Sequence, residues 1–148
     1  MENANPMQVA LELRKLRSAV EQSPVATLIA DTTGTIEYVS QGYTQQTGFT
    51  AQEMVGHSIN QFEPEYASAC AHHELLARIR AGGVWRGTLQ SRRKNGTYYW
   101  ETQTYSGIVD AQGNLVQLLL SKENVSQRKR AELKLKRSEA FSLAIWSP

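Results

Sequence analysis

Four alternate residues of one stretch, Tyr99, Glu101, Gln103 and Tyr105, bring two phenols, a carboxylate and an amide together. They fall within Thr97 to Ile108, a run rich in Tyr, Trp and Thr that suits a pleated, half-buried surface. Alternate residues of a strand share a face, so all four project to the same side. Lys122 stands at the end of the next strand-like run. A carboxylate or an ammonium on a covered face is costly unless paired. Two arrangements meet that cost. In one, Glu101, Gln103, Lys122 and the tyrosine hydroxyls line a polar cavity and hydrogen-bond a small polar ligand. In the other, Glu101 and Lys122 pair near a wetted rim, or a bulge turns Glu101 outward into solvent.

Other chemistry is thin. His57, His72 and His73 lack a Cys or His partner at metal-ligand spacing. Cys70 is the single cysteine, so neither an internal disulfide nor a cysteine zinc cluster can form, and a reducing cytoplasm is the expected setting. Neither a glycine-rich phosphate loop nor a Gly-x-Ser-x-Gly elbow occurs. No enzyme is therefore expected, and any catalytic domain would lie outside this chain. At 148 residues, 41% hydrophobic and 20% charged, the composition is that of an ordinary globular domain with flanking segments. A net charge of +2 is too small to argue for a nucleic-acid surface. No apolar run reaches the length of a membrane span, and the N-terminus lacks the apolar core of a secretory signal.

The elements that must position these residues read as follows. Val9, Leu13, Leu16 and Val20 recur on one stripe of a helix ending near Gln22. That stripe is expected to be buried on the outer face of the sheet or against the same helix of a second copy. Ser23-Pro24 stops the helix. Ala26 to Ala30 and Thr35 to Val39 form a hairpin about Asp31-Thr-Thr-Gly34. Short helical turns follow, one ended by Gly48 and one opened by the capping box Thr50-Ala-Gln-Glu53. His57 to Ala67 reads as a loop with at most one helical turn, and Ser68 to Ala81 as a helix. Trp85 to Asn124 is a three-stranded meander. Its first turn, Lys94-Asn95-Gly96, is a hairpin signal in which both Asn and Gly tolerate positive φ. Val125 to Trp146 is an exit helix. Residues 128–137 carry six basic side chains and one acidic one, read as the solvated face of a coiled-coil linker rather than a nucleic-acid surface. The chain ends at Pro148 beyond any recognisable element, as a piece of a longer protein would.

In this order the chain resembles a PAS domain. The phrases that carry the likeness are Ser23-Pro24-Val25-Ala26, Asp31-Thr-Thr-Gly34 before Ile36-Glu-Tyr-Val39, Thr47-Gly48-Phe49, Glu53-Met-Val-Gly56, Trp85-Arg-Gly87, Arg92-Arg-Lys-Asn-Gly96, Tyr99-Trp100 and Asn124-Val-Ser-Gln-Arg-Lys-Arg-Ala-Glu132. The likeness covers about residues 22–132, with Asn124 where the family usually has Asp. It implies an α+β fold: a five-stranded antiparallel sheet with short helices on one face, an N-terminal amphipathic helix over 1–22, the PAS domain over 23–125 and a linker helix over 126–148. It further implies a cytoplasmic sensory module that forms a homodimer and passes a signal to a kinase, a cyclase or a further PAS domain, with no nucleic acid and no membrane insertion.

The resemblance also bears on the cup of the sheet. Residues matching Tyr99, Glu101, Gln103 and Tyr105 face into it. Asn60, His72, Trp85 and Lys122 complete the expected ligand-binding set. Glu101 stands where light-sensing flavin members of the family have Asn, and Lys122 where they have a flavin-contacting Gln. Gly56-His57-Ser58-Ile59-Asn60-Gln61-Phe62 matches their cysteine motif, with Ile59 at the cysteine position, so no cysteine adduct is expected. His72 matches the haem ligand of oxygen-sensing members, the plainer reading being a solvated histidine. The expected state is cofactor-free, with haem on His72 or a redox flavin as the alternatives. A wholly ligand-free dimerisation module is the second functional class.

Overall fold

The computed structural model describes residues 5–63 and 72–146. Helix α1 (Pro6–Gln22) leads into strands β1 (Ala26–Asp31) and β2 (Ile36–Val39). Three short helices follow: α2 (Gln41–Thr47), α3 (Ala51–Met54) and α4 (Ile59–Phe62). Helix α5 (His72–Arg80) precedes β3 (Trp85–Arg92), β4 (Tyr98–Val109) and β5 (Leu115–Asn124), and α6 (Ser126–Trp146) leaves the sheet. The five strands form one antiparallel sheet in the order β2-β1-β5-β4-β3.

The central strands show why one face is covered. Ala26, Leu28 and Ala30 of β1 and Leu118 and Leu120 of β5 alternate into a core with Ile36, Tyr43, Met54, Ile59, Leu75 and Ile79. Small Ala side chains on β1 let the short helices lie close to the sheet. Local signals fix those helices. Ser40 caps α2 and Gly48 ends it at φ 87°, a left-handed conformation that costs glycine little. Thr50 and Glu53 form the expected capping box, with the Thr50 amide donating to Glu53 Oε1 at 2.7 Å.

The turn after β3 is built differently from the expected one. Within this turn Gly96 alone takes positive φ, at 91°, and among the described residues no non-glycine does. Asn95 instead uses its side chain, whose Oδ1 accepts from the Thr97 amide at 3.0 Å and the Thr97 hydroxyl at 2.7 Å. Asp110 does the same for the next turn, accepting from the amides of Gln112 and Asn114. The tolerance of Asn for positive φ is therefore not used; its side-chain acceptor is.

Helix α1 stands apart. None of its residues is buried, and Val9, Leu13 and Leu16 are 41%, 61% and 62% exposed. The expectation that its stripe lies on the outer face of the sheet is not met. Its tie to the domain is Glu21, whose carboxylate accepts from the Tyr38 hydroxyl and, at 3.2 Å, from the Gln41 amide.

Candidate functional site

The meander register builds the site. Gln103 of β4 lies opposite Lys122 of β5, and Glu101 opposite Asn124. On the other side of β4, Tyr99 pairs with Ser91 of β3. Period-two alternation turns Tyr99, Glu101, Gln103 and Tyr105 inward, where they are 3%, 0%, 1% and 1% exposed. Lys122, at 2%, faces the same cup.

Two residues outside the meander complete the arrangement. Glu63 ends α4, its amide bonded to the Ile59 carbonyl at 2.8 Å. Tyr43 comes from α2, its ring 5.0 Å beneath the Lys122 ammonium. Lys122 Nζ donates to Glu63 Oε1 at 2.5 Å and approaches Glu101 Oε2 at 3.2 Å. The Tyr43 hydroxyl also donates to Glu63 Oε1. Gln103 Nε2 bridges the two carboxylates, at 2.7 Å from Glu101 Oε1 and 3.2 Å from Glu63 Oε2. Ser91 and Tyr99 each donate to Glu101 at 2.5 Å. Every carboxylate oxygen thus has a donor, which is what allows charges to be enclosed at all.

Burial and charge act against each other here. Burial raises the Glu63 carboxyl above the usual range; Lys122 opposes the rise and Glu101 adds to it. Burial alone would depress the Lys122 ammonium, but Glu63 and Glu101 hold it above the usual lysine value. Burial keeps the Tyr43 and Tyr99 phenols protonated to higher pH, helped by the adjacent carboxylates.

The structure brings five of the expected ligand residues together: Tyr99, Glu101, Gln103, Tyr105 and Lys122. Trp85 joins them at the edge, half-buried, its ring centroid 5.7 Å from that of Tyr105. Asn60 does not join them. It is exposed, because in a single helical turn Ile59 takes the inward direction and its neighbour is rotated by about 100°. His72 opens α5, and its side chain lies outside the described residues, as does Cys70. The wetted-rim and outward-bulge readings of Glu101 are corrected: the pair is enclosed and has a third member, Glu63. Residues Glu63, Tyr43 and Ser91 were missed: Glu63 and Tyr43 lie outside any strand, and Ser91 is an ordinary small polar residue on the face of β3 that it shares with Trp85.

The outer face of β4 holds the exit helix. Trp100, next to Glu101, accepts from the Val125 amide at 2.8 Å through its carbonyl and donates its own amide to Ser126 Oγ at 3.0 Å. Lys129 of α6 lies 5.0 Å over the Trp100 ring.

A sheet in this order with an inward polar cluster and a helix leaving its β5 strand defines a PAS-type sensory fold. The PAS fold family matches residues 14–121, and the chain belongs to it. Among curated relatives, Phototropin-1A of Oryza sativa subsp. japonica is 26% identical over 120 residues, covering 81% of this chain and 13% of its own length. Hybrid signal transduction histidine kinase L of Dictyostelium discoideum is 23% identical over 120 residues, covering 78% of this chain and 7% of its own. The chain therefore spans a small part of the signalling proteins it resembles. Among solved structures, an "RNA-binding Light-Oxygen-Voltage Receptor" superposes with a TM-score of 0.73 at 19% identity, over 96% of this chain and 40% of that one. The structure "Flavin Analogue Sheds Light on Light-Oxygen-Voltage Domain Mechanism" gives 0.56 at 23% identity, over 91% of this chain and 99% of that one.

These findings correct the cofactor expectation. The exclusion of adduct photochemistry rested on Ile59 at one position. Relatives that include a phototropin, and neighbours that are light-oxygen-voltage domains, overturn that exclusion. Ile59 is one core residue, 1% exposed, whereas ring binding depends on the whole lining of a cup. No helix among the described residues is long and apolar enough to cross a membrane.

Proposed function

We propose that the chain is the sensory and dimerisation module of a larger signal-transduction protein of the histidine kinase or cyclase type. A small polar ligand enters the cup, and α6 carries the response onward. PAS domains are sensory modules, and signal-transduction proteins are among this chain's relatives. The observation that carries the reading is the adjacency of Glu101 and Trp100. Glu101 lies in the buried network, and Trp100 fastens the first residues of the exit helix. A ligand that exchanges partners with Glu101 shifts β4 where α6 is attached, which supplies the differential contact a two-state response requires.

Flavin is among the ligands this cup is proposed to take. Its carbonyl edge needs donors and its ring N–H an acceptor; Gln103, Lys122 and the tyrosine hydroxyls supply the first and Glu101 the second. A bound flavin would supply light absorption and redox chemistry. These groups are engaged with one another, so a ring enters by taking over those hydrogen bonds. The exposed stripe Val9, Leu13 and Leu16 supports pairing of α1 across a two-fold axis.

Absorption spectra of the purified protein, with mass spectrometry of the denatured sample, test the sensory reading. A stoichiometric small molecule lost on Glu101→Leu is the expected result. A dimer that retains no molecule and binds none from a panel of flavins, haem and polar metabolites would contradict it and leave dimerisation as the function.

A further inference from the structure

Among the described residues, the charges enclosed by the cup do not balance. Lys122 brings one positive charge, while Glu63 and Glu101 bring two negative ones, and no side chain of the three is more than 3% exposed. Two carboxylates that share a dry site resist ionising together. The geometry points to a proton-binding site: the Glu63–Lys122–Glu101 cluster holds one exchangeable proton, on Glu63, and gives it up as the pH rises.

The partners say which carboxylate holds the proton. Glu101 receives four donors: Ser91, Gln103, Tyr99 and the Lys122 ammonium. That set stabilises an anion. Glu63 receives three: the Lys122 ammonium, nearer to it at 2.5 Å than to Glu101 at 3.2 Å, the Tyr43 hydroxyl, and Gln103 at 3.2 Å. Among the described residues, the groups around Glu63 are Tyr43 from α2, Ser91 behind Glu101 from β3, Tyr99, Glu101 and Gln103 from β4, and Lys122 from β5. The two phenols and the ammonium are all pushed to higher pH. They keep their protons through the range in which Glu63 loses its own, so one group titrates while its surroundings hold.

The sign follows from the raised Glu63 carboxyl, which burial and Glu101 push up against the pull of Lys122. The folded state holds this proton more tightly than the unfolded one. Its contribution to stability is complete below the ordinary glutamate range and is lost as pH rises through the folded value. Deprotonation places a net negative charge on the bridge that Gln103 makes to Glu101, one residue from the Trp100 clasp on α6. The site is built wholly from the chain's own side chains, so pH is a signal the module can read without an organic ligand.

Carbon-detected NMR of the whole 148-residue chain, carrying glutamate labelled at its carboxyl carbon, reads the site. One carboxyl is expected to titrate above all the surface glutamates and to vanish from the spectrum in Glu63→Gln. In Glu101→Gln the high step is expected to be lost, because the remaining Glu63–Lys122 pair is neutral with Glu63 ionised. Protection of the Val125 and Ser126 amides, taken relative to the base-catalysed exchange of an open amide at each pH, should change across the same step in the wild type and stay flat in Glu63→Gln. A Glu63 that titrates with the surface glutamates, a high step that belongs to Glu101, or a step that stays put in Glu101→Gln would each overturn the proposal. Should Glu63→Gln fail to fold, the assigned wild-type carboxyl and Glu101→Gln decide it unaided.

Discussion

The cup and the first helix resolve the same problem in opposite ways. In the cup, seven polar side chains from five elements — Tyr43, Glu63, Ser91, Tyr99, Glu101, Gln103 and Lys122 — satisfy one another in the absence of solvent. Along α1, the apolar residues Val9, Leu13 and Leu16 are exposed. One region is partnered within the fold and tolerates no loss. The other has its hydrophobic face left for something else, and its deletion would cost the domain little. Stability should therefore concentrate in the cup, and association in the helix.

Lys122→Met breaks the contrast at its strongest point. It leaves the buried Glu101 carboxylate without a counter-ion, and removing one partner of a buried pair typically costs about 3–5 kcal/mol. Urea unfolding should show a loss of that order, and a change within experimental error would mean that water reaches the cup. Leu13→Asp with Leu16→Asp breaks the other side. Sedimentation should shift toward the monomer, while unfolding changes by no more than about 0.5 kcal/mol, as for other surface substitutions. Unchanged sedimentation would remove α1 from the proposed dimer. Ser126→Ala sharpens the link between cup and exit helix. It removes the two hydrogen bonds of the Ser126 hydroxyl to the Trp100 backbone, the second a long one, and should cost about 1 kcal/mol, with faster exchange at the Trp100 amide.

The smallest expected effect is electrostatic. Burial and Glu21 raise the Tyr38 phenol from 10.0 to about 12. A raised folded value means that this stability is complete below the unfolded phenol value and disappears as pH rises through about 12. Tyr38→Phe should flatten that alkaline slope and loosen α1 without touching the cup, as read by unfolding at stepped alkaline pH.

The same two regions show what the sequence made legible. Regular period was readable: alternation on β4 placed Tyr99, Glu101, Gln103 and Tyr105 on one face, and the α1 stripe stood out at helical spacing. The cup's third charge was not. Glu63 follows a one-turn helix in an irregular stretch, and Lys122 with Glu101 already looked balanced, so nothing called for another carboxylate. Tyr43 was hidden for a related reason, since a seven-residue helix shows too little period to mark its inward side. Asn60 was placed in the cup by motif alignment, but one residue along a single turn is enough to send it outward. Asn95 was read for its backbone tolerance when its side-chain acceptor makes the turn.

On the proposed function, the state of the cup is felt where the exit helix begins. Amide exchange at Val125, whose N–H is held by the Trp100 carbonyl, tests it most directly when wild type is compared with Glu101→Gln, with the Ile36 amide at the far edge of the sheet as reference. Faster exchange at Val125 with Ile36 unmoved is the predicted result. Val125 and Ile36 shifting together, or neither shifting, would show that the cup and the helix are not coupled.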